Sequence, residues 1–308
     1  MKMNHRDNHP ARFLVACALA LLAIPCARAQ EVGRDGALRK KVEEVIGASG
    51  AETVGVAFYD LETKRELLVN PDESFHAAST MKVPVMMEVF RQARDGRLSL
   101  DASLDVHNRF KSIADGSLFS VSPEDDSEKT LYRKTGQAVP VRELVELMIN
   151  ASSNLATNVL IERVTPQRVM VFMRKSGARN IKVLRGVEDT KAYERRLNNT
   201  TTARDLSILL RLIAEGRAVS KDASREMAEI MSRQRFNEGI PAGLPSSARV
   251  AHKTGSITKI NHDAAIVYPP GATSRAPYVL VVLTRGLADE KRAHKLIADI
   301  SRVVYEGL

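Results

Sequence analysis

The sequence predicts an α/β (α+β) fold: an antiparallel five-stranded sheet flanked by helices, built from both chain ends, with an all-α lobe inserted between the two halves. The first observation is strand-like alternation of apolar residues near both ends of the chain. The second is helical spacing of apolar residues through the middle. We expect an α/β lobe from about residues 32–75 and 235–308, an all-α lobe from about 76–234, and a cleft where they meet.

Each element is predicted from its own local pattern. The expected strands are Val54–Asp60, Glu66–Val69, Arg249–Lys253, Ala264–Tyr268 and Tyr278–Thr284. The expected helices are Ala37–Ile46, Ser79–Arg94, Val141–Arg163, Ala203–Glu215, Ser224–Arg233 and Glu290–Tyr305. The polar stretch Ser120–Gln137 contains the acidic residues 124–126, and this composition predicts a solvated surface loop.

Residues 1–29 have the pattern of a secretory signal peptide. Basic residues precede the apolar run Phe13–Ile24, and Ala27-Arg28-Ala29 supplies a cleavage signal. The run is shorter than the roughly 20 apolar residues that span a bilayer. We therefore expect a cleaved leader, a mature domain of residues 30–308, a periplasmic or secreted location, and no stable membrane span after cleavage.

Cysteine content and charge exclude several classes of function. Cys17 and Cys26 both fall in the leader, so the mature chain would have no thiolate nucleophile, disulfide or cysteine-bound metal. The formal charge of +9 falls to +6 without the leader, which is a modest excess. The sequence contains neither a zinc-finger spacing nor a basic patch rich in aromatic residues. We expect no nucleic-acid partner and a monomeric state.

The segment Ser79-Thr80-Met81-Lys82 opens a predicted helix. Residues three apart share one face of a helix, so the Ser79 hydroxyl and the Lys82 amine are expected to be neighbours. Serine needs an adjacent base, and a partly desolvated lysine can lose its proton and serve as one. Backbone N–H groups of the first helical turn can also stabilise an oxyanion. The pattern predicts a serine nucleophile, although the same spacing of serine and lysine recurs at residues 256–259.

A second element, Ser152-Ser153-Asn154, lies within the predicted helical block. The Ser152 hydroxyl could pass a proton to a leaving nitrogen. The Asn154 side chain could hold the substrate or Lys82, because its amide both donates and accepts hydrogen bonds. The plainer interpretation of this element is a helix cap or a polar kink.

A third element, Lys253-Thr254-Gly255-Ser256, ends a predicted strand. Lys253 and Thr254 could bind a carboxylate, and Gly255 would allow close backbone approach. The backbone N–H of Ser256 could be a second oxyanion donor. Residues 134–136 repeat the first three letters, but they precede the second element and lack strand alternation, so the later copy is favoured.

In this order and setting, the three elements resemble those of class A β-lactamases and penicillin-binding proteins. The resemblance extends from about Val42 to the C-terminus and includes residues 148–151 and 261–267. It implies that Ser79 is acylated by a β-lactam or by a D-alanyl-D-alanine-like peptide. It also implies that no metal or organic cofactor is needed.

The sequence departs from the class A pattern in two places. Ser153 stands where those enzymes typically carry aspartate. For deacylation they use a glutamate followed four residues later by asparagine, and Glu194 and Asn198 fit that spacing. The stretch between this asparagine and the following threonines is nearly absent here, which indicates a shortened loop. Glu188 is therefore the alternative carboxylate for activating the deacylating water.

The resemblance implies a β-lactamase that hydrolyses the β-lactam amide through a covalent acyl-enzyme on Ser79. Its catalytic residues would be Ser79, Lys82, Ser152 and Glu194. The expected substrate-binding residues are Asn154, Asn198, Lys253, Thr254, Gly255 and Ser256. The alternative is a D-alanyl-D-alanine peptidase, a penicillin-binding protein or an esterase with the same nucleophile and slow deacylation. A non-catalytic binder of peptidoglycan or of a protein partner is a third hypothesis, and the joint presence of the motif residues argues against it.

Overall fold

The computed structural model describes residues 36–271 and 276–308. The signal peptide predicted for residues 1–29 lies outside these ranges. Within them, no helix combines the length and the apolar character that crossing a bilayer requires.

Twenty helices and strands follow one another along the described chain. They are α1 (36–49), β1 (Thr53–Asp60), β2 (Glu66–Val69), β3 (Phe75–His76), α2 (Lys82–Arg94), β4 (Ser103–Asp105), β5 (Phe110–Lys111), β6 (Leu118–Phe119), β7 (Ala138–Pro140), α3 (Val141–Asn150), α4 (Asn154–Val164), α5 (Pro166–Lys175), α6 (Thr190–Glu194), β8 (Thr200–Thr201), α7 (Ala203–Ala214), α8 (Lys221–Met231), β9 (Arg249–Ile257), β10 (Ile260–Tyr268), β11 (Tyr278–Arg285) and α9 (Glu290–Glu306). Three 3₁₀ turns, Ala78–Met81, Leu131–Lys134 and Ile240–Gly243, lie between them.

The main sheet has five antiparallel strands in the order β2-β1-β11-β10-β9. β1 pairs along its whole length with β11, from Thr53 opposite Arg285 to Asp60 opposite Tyr278. This pairing joins the two ends of the chain into one sheet. The predicted fold class, with a five-stranded sheet built from both chain ends, is confirmed.

The sheet is covered on both faces, and β11 shows how the sequence achieves this. Its residues are buried almost throughout. Because successive side chains of a strand point to opposite faces, alternate residues join different cores. Val279, Val281 and Leu283 pack with the helical lobe, whereas Leu280 and Val282 pack with α1 and α9. The sheet therefore separates two apolar cores, and the site described below lies at its edge toward the helical lobe.

The helical lobe is organised around α2, which is buried along nearly its whole length against α3, α4, α5 and α8. The sequence predicted one helix at Val141–Arg163, and the structure instead has α3 and α4 with a break between them. Ser152 has a left-handed φ of 58°, and the Ser153 side chain accepts a hydrogen bond from the N–H of Ala156. The sequence did not reveal the break because α3 and α4 each bury one face, so the spacing of apolar residues continues across it. The lobe also contains three short strand pairs that the sequence did not indicate.

Gly243 provides a test of the packing between the 3₁₀ turn Ile240–Gly243 and α9. A Cβ atom at this position would overlap the carbonyl oxygen of Ala298. We expect Gly243→Ala to lower the free energy of unfolding by about 1–3 kcal/mol, because the turn and α9 would have to move apart to make room for the added methyl group. Urea unfolding followed by circular dichroism measures this.

Gly47 is the matched control, because it is exposed in α1 and a Cβ there would meet no atom within 4 Å. Gly47→Ala should raise the free energy of unfolding by about 0.5–1 kcal/mol, since alanine loses less entropy in a helix. Equal effects of the two variants would contradict the packing described here.

Candidate active site

Ser79 lies in the 3₁₀ turn that precedes α2, at the junction of the sheet and the helical lobe. The preceding Ala78 has a left-handed φ of 45°, and its N–H donates to His76 Nδ1 at 3.0 Å. The Ser79 side chain is partly exposed and lines two adjoining cavities. The larger cavity has a volume of about 430 Å³ and the smaller one about 250 Å³. Both cavities are also lined by Asn154 and Ser256.

The Lys82 amine is completely buried and points across the cleft to the break between α3 and α4. Its Nζ donates to the carbonyl oxygen of Ser152 at 2.6 Å, to Ser152 Oγ at 3.2 Å and to Asn154 Oδ1 at 3.0 Å. Burial lowers the pKa of Lys82 from 10.5 to about 7, and the charges of Asp126 and Glu188 offset part of this effect. At neutral pH the amine is therefore divided between its charged and neutral forms.

The Ser152 hydroxyl lies between two buried lysines. Lys253 Nζ, from β9, donates to Ser152 Oγ at 3.0 Å and to the carbonyl oxygen of Thr254 at 2.8 Å. Burial lowers the pKa of Lys253 well below its usual value, and the neighbouring Lys82 charge lowers it further. A hydroxyl held between two amines of lowered pKa can receive and pass on protons.

Strand β9 passes very close to the turn that carries Ser79. A Cβ atom on Gly255 would stand 3.0 Å from the backbone nitrogen of Ser79 and 3.1 Å from that of Thr80. Only a residue without a side chain fits there comfortably. Thr254, Gly255 and Ser256 line the smaller cavity beside Ser79. The first and third sequence elements thus meet along one edge of the sheet.

Glu188 brings a carboxylate into the larger cavity. Its Oε1 accepts from Asn154 Nδ2 at 2.7 Å, and its Oε2 accepts from the N–H of Ser122 at 2.8 Å. Glu188 has a left-handed φ of 61°, a conformation that non-glycine residues adopt rarely. Burial raises its pKa above the usual value, although both hydrogen bonds favour the ionised form. The same Asn154 amide thus contacts both Lys82 and Glu188.

Glu194 and Asn198, which the sequence pattern placed in the site, do not reach it. Glu194 is exposed at the end of α6 and belongs to the lining of neither cavity. Asn198 Oδ1 accepts from Arg185 Nη2 at 3.1 Å, and Asn198 also lines neither cavity. Of this short loop, it is the neighbouring Asn199 that lines the larger cavity. The structure thus brings Glu188, and not Glu194 or Asn198, into the lining of the cavities beside Ser79.

Asp126 is a positioning residue that the sequence analysis assigned wrongly to a solvated loop. It is only 2% exposed. Its Oδ2 accepts from the N–H groups of Asn154 at 2.8 Å and Leu155 at 3.0 Å, and from Tyr132 Oη at 3.0 Å. A carboxylate at a helix N-terminus satisfies free N–H groups and favours the helix dipole. Ser153 Oγ also contacts it at 3.3 Å, so a carboxylate does stabilise this segment, although residue 153 itself is serine.

The histidines near Ser79 form hydrogen bonds with the backbone around it. Burial lowers the pKa values of His76 and His262 to about 4 each. His262 Nε2 lies 2.9 Å from the carbonyl oxygen of His76. Both rings are neutral at physiological pH. Among the residues that the structure describes, no group of three or more histidine, cysteine or acidic side chains is arranged to hold a metal ion.

The role of Asp126 can be tested by substitution. We expect Asp126→Asn to lower the free energy of unfolding by about 1–3 kcal/mol, because an amide nitrogen or a weaker acceptor would face buried N–H groups. Glu124→Gln, an exposed carboxylate on the same loop, should change it by less than about 0.5 kcal/mol. Thermal or urea unfolding of both variants measures the difference. An Asp126→Asn protein as stable as the wild type would refute the capping role.

Comparison with known proteins identifies the family. The chain matches the model of the β-lactamase enzyme family over residues 37–308. A β-lactamase of Streptomyces albus G is 30% identical over 305 residues, which cover 95% of this chain and 93% of that protein. The β-lactamase Toho-2 of Escherichia coli is 28% identical, with 95% of each chain covered.

Solved structures agree with the sequence relatives. PBP-A is 28% identical with a TM-score of 0.75, covering 87% of this chain and 94% of its own. A mutant of PBP-A, with a TM-score of 0.74, is an acyl-enzyme complex with penicillin G; it is 28% identical, with 88% and 96% of the two chains covered. An ancestral class A β-lactamase is 26% identical with a TM-score of 0.75, covering 88% and 100%. The chain therefore belongs to the β-lactamase enzyme family, as its three sequence elements predicted.

Proposed function

We propose that this protein is a serine β-lactamase of the class A type, in which Ser79 opens the β-lactam amide and the resulting acyl-enzyme is hydrolysed. One observation carries the proposal. A continuous hydrogen-bonded set joins the buried amines of Lys82 and Lys253 to the partly buried side chains of Ser152, Asn154 and Glu188, which line the cavities beside Ser79. Such a set provides proton acceptors and donors on both sides of a bound amide.

Acylation begins with proton transfer from Ser79 Oγ to the neutral amine of Lys82 as the oxygen attacks the carbonyl carbon. N–H groups of the 3₁₀ turn that carries Ser79 and of β9 stabilise the negative charge on the carbonyl oxygen. When the amide bond breaks, Ser152 Oγ donates its proton to the leaving nitrogen, and Lys82 or Lys253 replaces that proton. Thr254 and Lys253 attract the substrate carboxylate. The products of this stage are an ester on Ser79 and an opened ring.

Deacylation requires a water molecule and a base on the other side of the ester. Glu188 fits this role because it lines the larger cavity with Ser79 and its carboxylate is held by Asn154 and Ser122. It takes a proton from the water, whose oxygen attacks the ester, and this proton passes back to Ser79 Oγ, directly or through Lys82, as the ester bond breaks, which regenerates both Ser79 and Glu188. We therefore assign the role of the base to Glu188 and not to Glu194.

A penicillin-binding protein with slow deacylation is the second candidate. The similarity to PBP-A favours it, as do the two hydrogen bonds that already occupy the oxygens of Glu188.

Either function belongs outside the cytoplasm, where β-lactams and peptidoglycan peptides are found. We accordingly propose that residues 1–29 are a signal peptide, that the mature protein is periplasmic or secreted, and that it acts as a monomer in β-lactam resistance or catabolism.

Turnover and intact mass, followed together with a penicillin and a chromogenic cephalosporin, test the proposed function. Mature wild-type protein should hydrolyse the drugs, and Ser79→Ala should neither hydrolyse them nor gain mass. Glu188→Gln should accumulate the acyl-enzyme and lose a factor of about 10²–10⁴ in turnover, which is the usual contribution of a general base. Glu194→Gln is the matched control and should remain within about twofold of the wild type.

The opposite pattern, with an adduct in Glu194→Gln and normal turnover in Glu188→Gln, would reverse the assignment of the base. A stable adduct on wild-type Ser79 without turnover would establish the penicillin-binding function. An absence of both adduct and turnover would refute acylation at Ser79.

The pH dependence of acylation tests the role of Lys82. Since the neutral amine is the base and its pKa is about 7, the acylation rate should rise with pH through about 7 and then level off. Glu188→Gln removes a negative charge that raises the pKa of Lys82, so its acylation profile should shift to lower pH. Rapid-quench mass spectrometry from pH 5 to 9 measures both profiles. An unshifted profile in Glu188→Gln would show that the two groups are not coupled.

A further inference from the structure

The smaller cavity has an acidic wall. Asp125, Glu238 and Glu290 line it, and all three side chains are exposed. No lysine or arginine is among the described residues that line this cavity. Two histidines line the cavity, and one of them, His262, is neutral. The lining therefore does not carry enough positive charge to balance its carboxylates.

The three carboxylates are available to a ligand. Within the described ranges, neither Asp125 nor Glu238 has a basic side chain at ion-pair distance, unlike Glu128, which pairs with Arg235 at 3.4 Å. Glu290 accepts a hydrogen bond from Ser256 Oγ at 3.2 Å and lies 3.8 Å from His294 Nε2. Carboxylates in a concave wall reinforce one another's field, so this wall attracts positive charge.

Asn261 provides a second, independent observation that points to a ligand in this cavity. It is only 4% exposed, lies on β10, and lines the same cavity. Its Oδ1 is buried and has no hydrogen-bond partner among the described residues. An unpaired buried acceptor costs free energy that a donor on a ligand can recover. Each of these wall oxygens can accept a hydrogen bond from a ligand.

The proposed mechanism decides which part of a substrate meets this wall. Ser152, which protonates the leaving nitrogen, lines the smaller cavity and not the larger one. Glu188, which serves the acyl group after ring opening, lines the larger cavity and not the smaller one. The amine half of the β-lactam, which carries the carboxylate and the ring substituent, therefore points into the smaller cavity.

We propose that the smaller cavity is a subsite for a positively charged substituent on the amine half of the substrate. The preferred substrates are then zwitterionic β-lactams, such as cephalosporins with a protonated aminomethyl group on the ring, whose N–H bonds provide the donor that Asn261 Oδ1 lacks. The ammonium charge offsets the repulsion between the wall and the substrate carboxylate. This inference rests on the proposed function, because that function sets the orientation of the substrate.

Two cephalosporins with the same acylamino group test the subsite, one with a protonated aminomethyl and one with an acetoxymethyl substituent. Their dissociation constants are measured by calorimetry on Ser79→Ala protein, which binds without acylation. The aminomethyl compound should bind about tenfold more tightly, the sum of three modest ion pairs. Adding Asp125→Asn, Glu238→Gln and Glu290→Gln should bring the two constants to within about twofold, by weakening the binding of the zwitterionic ligand and strengthening that of the anionic acetoxymethyl compound.

The control is Glu306→Gln in the Ser79→Ala background, which removes an exposed carboxylate at the end of α9 and should leave the ratio unchanged. Equal affinities before the wall is changed, or a ratio that survives its neutralisation, would overturn the subsite. A failure of the proposed function is distinguished by the wild-type protein, which would then hydrolyse neither cephalosporin and gain no mass from either. If Ser79→Ala bound neither compound, the subsite would also be refuted.

Discussion

The structure depends above all on the burial of the Lys82 amine at the junction of the two lobes. An ammonium group in such a place is costly, and it persists here because its three acceptors all come from residues 152–154. The left-handed conformation of Ser152 presents its carbonyl oxygen and its hydroxyl to the same amine. The break between α3 and α4 is therefore required by the chemistry of the site, and the two helices could not be fused without losing it.

Two carboxylates offset part of the electrostatic cost of burying the Lys82 amine. Asp126 and Glu188 both raise the pKa of Lys82 against the larger effect of burial, which leaves it near neutrality. Both act by direct charge interaction; the N-terminus of α4 holds Asp126 in place, and the amide of Asn154 holds Glu188. A pKa close to the working pH is what a proton carrier requires, since it must accept and return a proton in one cycle. The same contacts thus stabilise the fold and adjust the base.

The sequence was sufficient for the fold class and for the three elements that meet at Ser79. Apolar periodicity reports which faces are buried, and both the sheet and the helices are built from such faces. It was insufficient at Glu194 and Asn198, where spacing within a loop was taken for position in space. It was also insufficient at Asp126, because the burial of a single carboxylate depends on α4, which lies nearly thirty residues further along the chain. Loops that deliver side chains to a site are fixed by tertiary contacts, and these leave no local periodicity.

The two cavities make different demands on one substrate, and their chemistry explains how both can be met. The larger cavity contains Glu188, whose usefulness as a base increases when water and the acyl group are held close to it. The smaller cavity is acidic, although every common β-lactam carries a carboxylate on that side. A wall of this sign would penalise an ordinary anionic drug at the encounter stage, before Lys253 and Thr254 can act. In the proposed mechanism a cation next to the carboxylate removes that penalty, so that the electrostatics of the amine side would select among β-lactams while the buried lysines and Glu188 would perform the same chemistry on each of them.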